Sequence, residues 1–552
     1  MAILDNRTIY DSAESTTGWV DTSGGATGFA LDTELAMQGT YALSTSYTST
    51  SSELGCLHNN GSAADRSNTV WYLWFNFLAP GALDTEVNGG VTVRFCGATI
   101  TDFFEIEVAG SNTYAGGPIQ FVVDIEEASA NPFATGGTPP DPNAIQYVGV
   151  VVNPLVSMPK MADNYAIDEI AFVLATDPAI VVEGQNTGAV DWTWDDVVST
   201  AEAASWGTCK RAPGGGVVLN GPVRFGANDA VTHGFSDTNQ VILWADELVP
   251  DGFYFLEVVG GSGAQSFVAG VKTGTGDDAT GGQGWVISAA GPGDRWDFKC
   301  NDANIDAANL YGCTFLHGGA FSLDNAFTSV VSCSFVDCSS ATITDCADFL
   351  GCNIIDANTA DDVGFVTTND ITDLVNCSFT FSDGHAVTLT TPNVSAQTST
   401  SNRFIGYGAT ASTDSAIYNN SGAGLVTISL AGTSTLGEHT YKNGASASTS
   451  ITASVPVSFE AVDKAGAAIQ DVLVSVYLTA DDSEVLNAVT LASGFITTTF
   501  SGATPADFYY RYRKSTGPAT RYKNLSGAGT IASSTGSTIK RTMTVDNVAD
   551  PN

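Results

Sequence analysis

Leu310-Tyr311-Gly312-Cys313-Thr314-Phe315, Val330-Val331-Ser332-Cys333-Ser334-Phe335, Phe349-Leu350-Gly351-Cys352-Asn353-Ile354 and Leu374-Val375-Asn376-Cys377-Ser378-Phe379 are four versions of one phrase. Each reads apolar, any, small or polar, Cys, polar, bulky apolar. The Cys-to-Cys steps are 20, 19 and 25 residues. Between them lies a second kind of short strand, in Ala320–Leu323, Ala341–Thr344, Val363–Val366 and Ala386–Leu389, with Gly, Asn, Asp and Ser at the corners. A period near 20 residues marks a solenoid. A helical repeat needs apolar residues at i, i+3, i+4 and i+7, and these strands alternate instead. The Leu and Asn run of a leucine-rich repeat is absent. The reading left is a parallel β-helix with one coil per repeat. Like residues then stack on like, so Phe315, Phe335, Ile354 and Phe379 form one buried ladder. Cys313, Cys333, Cys352 and Cys377 share a level of the coil, and Gly312, Ser332, Gly351 and Asn376 share a bend. One coil cannot bury its own face, so stability is summed over neighbours.

The pattern resembles the right-handed parallel β-helices of pectate lyases and phage tailspikes. The resemblance lies in coil length and stacked ladders, and it implies architecture more than chemistry.

Working outward, the 552-residue chain is long enough for several domains. Charged residues make up 14% and hydrophobic residues 43%, a profile of short strands and many turns, and not of disorder. The net charge of −39 argues against nucleic acid as a partner, because phosphate is held by Lys and Arg. Residues 301–402 hold twelve Asp but no Lys, Arg or Glu, and these Asp are expected to cap corners. The ten Cys show no CxxC pair and no zinc spacing, so they are read as small, buried, apolar residues. No signal peptide is read at the N-terminus, and the bulky apolar run Val70–Leu78 is too short to span a bilayer. No membrane insertion is expected.

Residues 1–178 read as a β-sandwich, with the aromatic Val70–Phe77 as a central strand. Gly39-Thr40-Tyr41-Ala42-Leu43 and a closing Ile167-Asp168-Glu169-Ile170 resemble features of concanavalin-like and jelly-roll carbohydrate-binding folds. In some of those relatives a calcium ion joins the N-terminal stretch to the last strand. That resemblance implies Asp11, Glu14 and Asp168 as oxygen donors; the alternative is a solvated acidic turn. Trp71 and Trp74 would stack on sugar or lie in the core. Residues 179–300 read as early coils with insertions. Asp191–Val198 is a short capping helix, and Phe253–Val259 is among the expected strands. The loop Gly274–Gly284 is expected to be exposed. Residues 409–445 read as the last coils plus a linker. Residues 446–552 read as a separate sandwich. Its run Val462–Val476 resembles carboxypeptidase-regulatory-like and prealbumin-like Ig modules. A basic cluster there, including Arg511, Arg513 and Lys514, would face an acidic neighbour or form one charged side of the module.

The expected fold is therefore all-β: a jelly-roll sandwich over 1–178, a right-handed parallel β-helix over 179–445 and an Ig-like sandwich over 446–552. No phosphate loop, HExxH or GxSxG is present. A glycosidase needs two carboxylates roughly 5–5.5 Å or 6.5–9.5 Å apart. Candidates are Asp324 with Asp345 or Asp348, and Asp356 with Asp361 or Asp362. Every Asp-rich solenoid offers such pairs, and the Lys or Arg base of a pectate-lyase-like site is missing from residues 301–402. The resemblance implies a structural protein of a tailed-phage virion. It would be a homotrimeric spike, fibre or capsid decoration, made in the host cytoplasm. Other virion proteins and host-surface polysaccharide would be its partners. A tailspike-type depolymerase and a bacterial surface adhesin are the alternatives. No cofactor is expected beyond a structural calcium.

Overall fold

The computed structural model describes residues 2–22, 26–47, 53–78, 83, 88–110, 116–154, 165–212, 214–245, 254–289, 295–300, 302, 304–390, 396–422, 424–502, 505–514, 520–532 and 536–546. Phe253, expected to open a strand, lies outside them. The protein is all-β; among the described residues the only α-helices are Ile125–Ala130 and Trp194–Ala203. The chain divides into two compact units. The first comprises Met1–Thr273, Gly281–Ser329 and Val336–Ser339, and the second Gly274–Thr280, Val330–Phe335 and Ser340–Asn552.

The first unit opens with two sheets. One runs Pro118–Asp124, Thr69–Phe77, Tyr165–Leu174, Ala42–Tyr47, Ala26–Asp32, with Thr8–Asp11 also on Tyr165–Leu174. The other runs Ala134–Gly136, Phe103–Ala109, Val91–Cys96, Ile145–Val152, Leu54–Ala64, Trp19–Asp21. Trp71, Phe75, Phe95, Phe104, Phe121, Val150 and Ile167 fill the core between them. The central strand is buried on both faces for a specific reason. Trp71, Leu73 and Phe75 point into this core. Tyr72 and Trp74 point outward, where Gly221 and Gly207 pack against their rings. The strand Pro118–Asp124 ends at Asp124, whose carboxylate accepts from the Glu126 N–H and caps the helix Ile125–Ala130.

Beyond residue 178 the pairing becomes parallel. Ile180–Glu183 pairs with Val223–Phe225, then Tyr254–Val258, then Trp296–Lys299, then Gly318–Ser322. Two further ladders run through Val217–Leu219, Ile242–Ala245, Val286–Ser288 and Thr314–Leu316, and through His233–Asp237, Gln265–Ala269 and Ala307–Tyr311. The helix Trp194–Ala203 starts on a capping box, with Thr193 and Asp196 bonding each other's backbone N–H. Its Trp194 ring sits edge-on to Phe225, Phe235 and Trp285, at 5.6, 5.6 and 5.4 Å between centroids. An apolar end that would meet water is thereby closed.

The second unit repeats the three-ladder pattern. Ser340–Thr342, Gly364–Thr368, His385–Leu389, Ile417–Asn419 and Tyr441–Asn443 pair in parallel. So do Asn353–Ala357, Ser378–Ser382 and Arg403–Ile405, and Asp348–Leu350, Leu374–Val375, Ala396–Thr400 and Gly424–Ala431. The 16-residue strand Ala447–Val462 follows. Its first half continues the parallel ladder on Gly424–Ala431. Its second half pairs antiparallel with Phe495–Gly502 and parallel with Ser537–Thr542. A four-stranded sheet, Glu484–Val489, Leu473–Leu478, Ala506–Lys514 and Tyr522–Ile531, completes the unit. Phe459 packs on Phe508 and Tyr510 between those sheets.

Candidate functional site

The ladder residues come first, because they fix where loops leave the coils. Gly312, Ser332, Gly351 and Asn376 all adopt positive φ, at 64°, 55°, 62° and 57°. That conformation suits Gly and Asn and turns the chain before each Cys. Cys313 and Phe315 are buried in the first unit, Phe315 against Trp296 and Phe321. In the second unit Cys333, Cys352 and Cys377 follow in register: Asn353 N–H donates to the Cys333 carbonyl and Ser378 N–H to that of Cys352. Ile354 pairs with Phe379 and Phe379 with Phe404, and Phe335 packs on Phe349 and Phe365. Nine of the ten Cys are buried. Burial pushes Cys352 and Cys338 upward, so they are packing groups and not nucleophiles.

The expected calcium donors separate. Asp11 pairs with the His58 Nε2 at 3.0 Å, because its strand meets Ile170 beside the Leu54–Ala64 sheet. Glu14 and Asp168 converge instead on the segment 37–41. Asp168 Oδ2 accepts the N–H groups of Met37 and Gln38, the latter at 2.6 Å. Glu14 Oε1 accepts those of Thr40 and Tyr41, at 2.5 and 3.0 Å. Gly39 sits so close to Glu14 that a Cβ would strike its carboxylate. Asp168 is 2% exposed, and its Oδ1 is buried without a hydrogen bond. Burial pushes its carboxyl up to about 6 against three backbone N–H bonds, and the Glu14 charge adds to the rise. Next to it, burial pushes Glu169 up to about 7 despite the Arg7 guanidinium 3.0 Å away. The orphaned Asp168 oxygen fits a hard cation shared with Glu14. The fit stops at two carboxylates: among the described residues no three His, Cys, Asp or Glu are gathered for a metal.

The carboxylates proposed as glycosidase pairs divide in the same way. Asp324 belongs to the first unit, and Asp345, Asp348, Asp356, Asp361 and Asp362 to the second. Asp362 is committed: Lys442 Nζ donates to it and His385 Nε2 lies 3.5 Å away. The Lys442 hydrogen bond holds its carboxyl below the usual range, the wrong direction for a general acid. Asp356 and Asp362 occupy corner positions of positive φ, 49° and 62°. Two constellations had no sequence motif. Arg94 is buried inside the strand Val91–Cys96, bidentate to Glu53 at 2.7 and 2.8 Å and bonded to Glu105 at 2.8 Å. Its guanidinium lies 3.7 Å from the centre of the Phe103 ring. The only signal was a charged residue in an otherwise apolar strand. Asp373 is half-buried, and burial first, then the charges of Asp370 and Asp345, push it up to about 6. Trp71 is in the core, bonded to Thr69, and Trp74 is half-buried with Gly207 against its ring.

No protein-family model matches the chain, and no curated protein sequence matches it. Among solved structures it is similar to a family 11 carbohydrate-binding module from Clostridium thermocellum in complex with a beta-1,3-1,4-mixed-linked tetrasaccharide. The identity is 11%, over 30% of this chain and 95% of that one, at a TM-score of 0.23. It is also similar to an exo-beta-agarase at 10% identity, over 31% of this chain and 25% of that one, at a TM-score of 0.22. Likeness at these scores fixes neither ligand nor reaction for this chain.

Proposed function

We propose that the chain is a structural component of a tailed-phage virion, a surface spike, fibre or decoration that attaches the particle to glycans. Its parts would be a jelly-roll-like sandwich over 1–178, a right-handed parallel β-helix over 179–445 and an Ig-like module over 446–552, assembled as a homotrimer. The observation that supports this best is the series of parallel, in-register pairings at one-coil steps, with aromatic and Cys rows buried inside. Stacked coils of this kind make a stiff support whose corner loops are free to vary. A calcium ion, where bound at Glu14 and Asp168, would brace the sandwich and take no part in recognition. The test is cryo-electron microscopy and mass spectrometry of purified particles. Threefold density containing this chain is expected. A monomeric chain in solution that is absent from particles overturns the reading.

One observation favours a polysaccharide depolymerase instead. Asp373, raised to about 6 by burial and then by the charges of Asp370 and Asp345, has the form of a general acid. Incubation of the chain with the host's capsular polysaccharide, followed by reducing-end assay, decides it. Cleavage lost in D373N and D345N supports the enzyme, and no cleavage by the native chain removes it.

A further inference from the structure

The terminal module breaks the charge pattern of the chain. Residues 446–552 carry nine Asp and Glu against eight Lys and Arg, while the preceding 445 residues carry 50 against 12. Four of the module's eight cations are matched. Lys540 pairs with Glu460 at 2.7 Å, Arg521 with Asp546 at 3.8 Å, Arg541 bonds the Tyr510 hydroxyl and Lys514 the Gln470 carbonyl. Arg511 and Arg513 are exposed, and among the described residues neither has a carboxylate partner.

Strand alternation explains their position. Val474, Val476, Phe508, Tyr510 and Tyr512 face the core, so Leu473, Ser475, Tyr477, Arg511 and Arg513 take the opposite face. The register sets Leu473 against Arg513, Ser475 against Arg511 and Tyr477 against Tyr509. That face holds an open groove of about 480 Å³ lined by Leu473, Ser475, Tyr477, Arg511, Arg513 and Asn524. Tyr477 stacks on Tyr509 at 5.6 Å with 28° between the rings, and the Tyr509 hydroxyl is tied to Asp482 at 3.0 Å. The aromatic floor is thereby fixed.

We propose that this groove binds an acidic saccharide. A guanidinium grips a carboxylate bidentately. Two Arg at alternate positions of one strand stand roughly 6.6 Å apart at Cα, which suits carboxylates carried on a sugar chain. Tyr477 and Leu473 offer an apolar bed to the C–H face of a pyranose, and Ser475 and Asn524 offer partners to hydroxyls. Nucleic acid fits poorly, because its dense phosphate charge meets the field of a chain at −39. The proposal narrows the attachment reading to one ligand class, and it stands or falls without reference to where the chain resides.

The test is calorimetric titration of the full chain with oligogalacturonate, with its methyl-esterified form and with oligo-aspartate. Binding of the acid is expected, weakened at least tenfold by methyl esterification and by R511Q/R513Q, and severalfold by Y477A. Unchanged melting curves would show that these surface variants fold. Equal binding of acid and ester, binding unaffected by R511Q/R513Q, or no binding of the acid overturns the proposal. Oligo-aspartate binding as tightly as the uronate overturns it in favour of an acidic protein partner.

Discussion

Asp168 makes the sandwich sensitive to pH in a direction opposite to that of most carboxylates. Its ordinary value is 3.8 and burial lifts it to about 6 in the folded chain. Below pH 3.8 both folded and unfolded forms carry the proton, and nothing is lost. Between 3.8 and 6 the folded form keeps a proton that the unfolded form has released, so stability falls as pH rises. Above 6 the full cost applies: about two pH units at about 1.4 kcal/mol each, or ~3 kcal/mol. No solvent discount is due, as the side chain is 2% exposed. The perturbation is D168N, whose amide oxygen still accepts from Met37 and Gln38 but never ionises. The assay is hydrogen exchange of amides in the strand Tyr165–Leu174, in the native chain and in D168N, from pH 4 to 7.5. The protection ratio of variant to native is expected to rise by roughly 100-fold across that range, since ~3 kcal/mol corresponds to about two decades. Removing the Asp168 charge also relieves Glu169, which adds in the same direction. Calcium supplied at pH 7.5 should restore native protection and leave D168N unmoved if Glu14 and Asp168 hold it. A ratio that stays flat with pH refutes the burial argument. Chelation without effect on native protection removes the calcium.

Three further outcomes follow from the buried rows. Phe379→Ala, at a ring fully buried and stacked 5.0 Å from Phe404, should cost about 3–5 kcal/mol. Exchange should accelerate mainly in the neighbouring strands Asn353–Ala357 and Arg403–Ile405, and an even loss across the chain would contradict nearest-neighbour stability. His439 is 2% exposed, and burial pushes it from 6.5 down to about 4. The neutral ring is the folded form, so stability is lost as pH falls from 6.5 through 4, by about 3 kcal/mol in total. H439N should abolish that slope in acid denaturation curves. Of the ten thiols only Cys346 is partly exposed, so a native thiol titration should reach about one equivalent, and C346S should remove it. Several equivalents reacting in the native state would mean that the Cys rows are not closed.

The repeat was legible because its inward rows are chemically monotonous. Cys, Phe and Ile recur at one level, and Gly312, Ser332, Gly351 and Asn376 are residues that tolerate the left-handed corner they occupy. The strand Ala447–Val462 was not legible. Its first half is Ser, Thr and Ala, and backbone pairing to Gly424–Ala431 holds it there in place of apolar periodicity. The helix Ile125–Ala130 was hidden by the β-branched run before it, and one Asp124 side chain decides where strand ends and helix starts. Register likewise decides which of the candidate site residues meet. Asp11 and Glu14 are three residues apart, yet register sends one to His58 and the other to the backbone at 40–41. Asp373 acquires its shift first from burial and then from the charges of Asp370 and Asp345, the latter 28 residues earlier in the chain.

The acidity of the chain has a structural cause, and that cause gives the basic groove its meaning. Asp302 and Asp370 accept the N–H two residues on, as do Asp65, Asp141, Asp229 and Asp463 elsewhere. Asp337, Asp356 and Asp362 occupy left-handed corners. These are turn functions, for which Asp is suited by its short acceptor and its tolerance of positive φ. A chain of many short strands needs many turns, so it accumulates negative charge without any ligand in view. The resulting field repels every polyanion that approaches, and more strongly the denser its charge. Arg511 and Arg513, without a carboxylate partner among the described residues, then act at short range against that background. A ligand with widely spaced carboxylates and apolar ring faces gains the local contacts at small long-range cost. Selection by sparse charge over dense charge is thus a consequence of how the coils turn, and it predicts that uronate affinity falls with salt less steeply than binding to a phosphate polymer would.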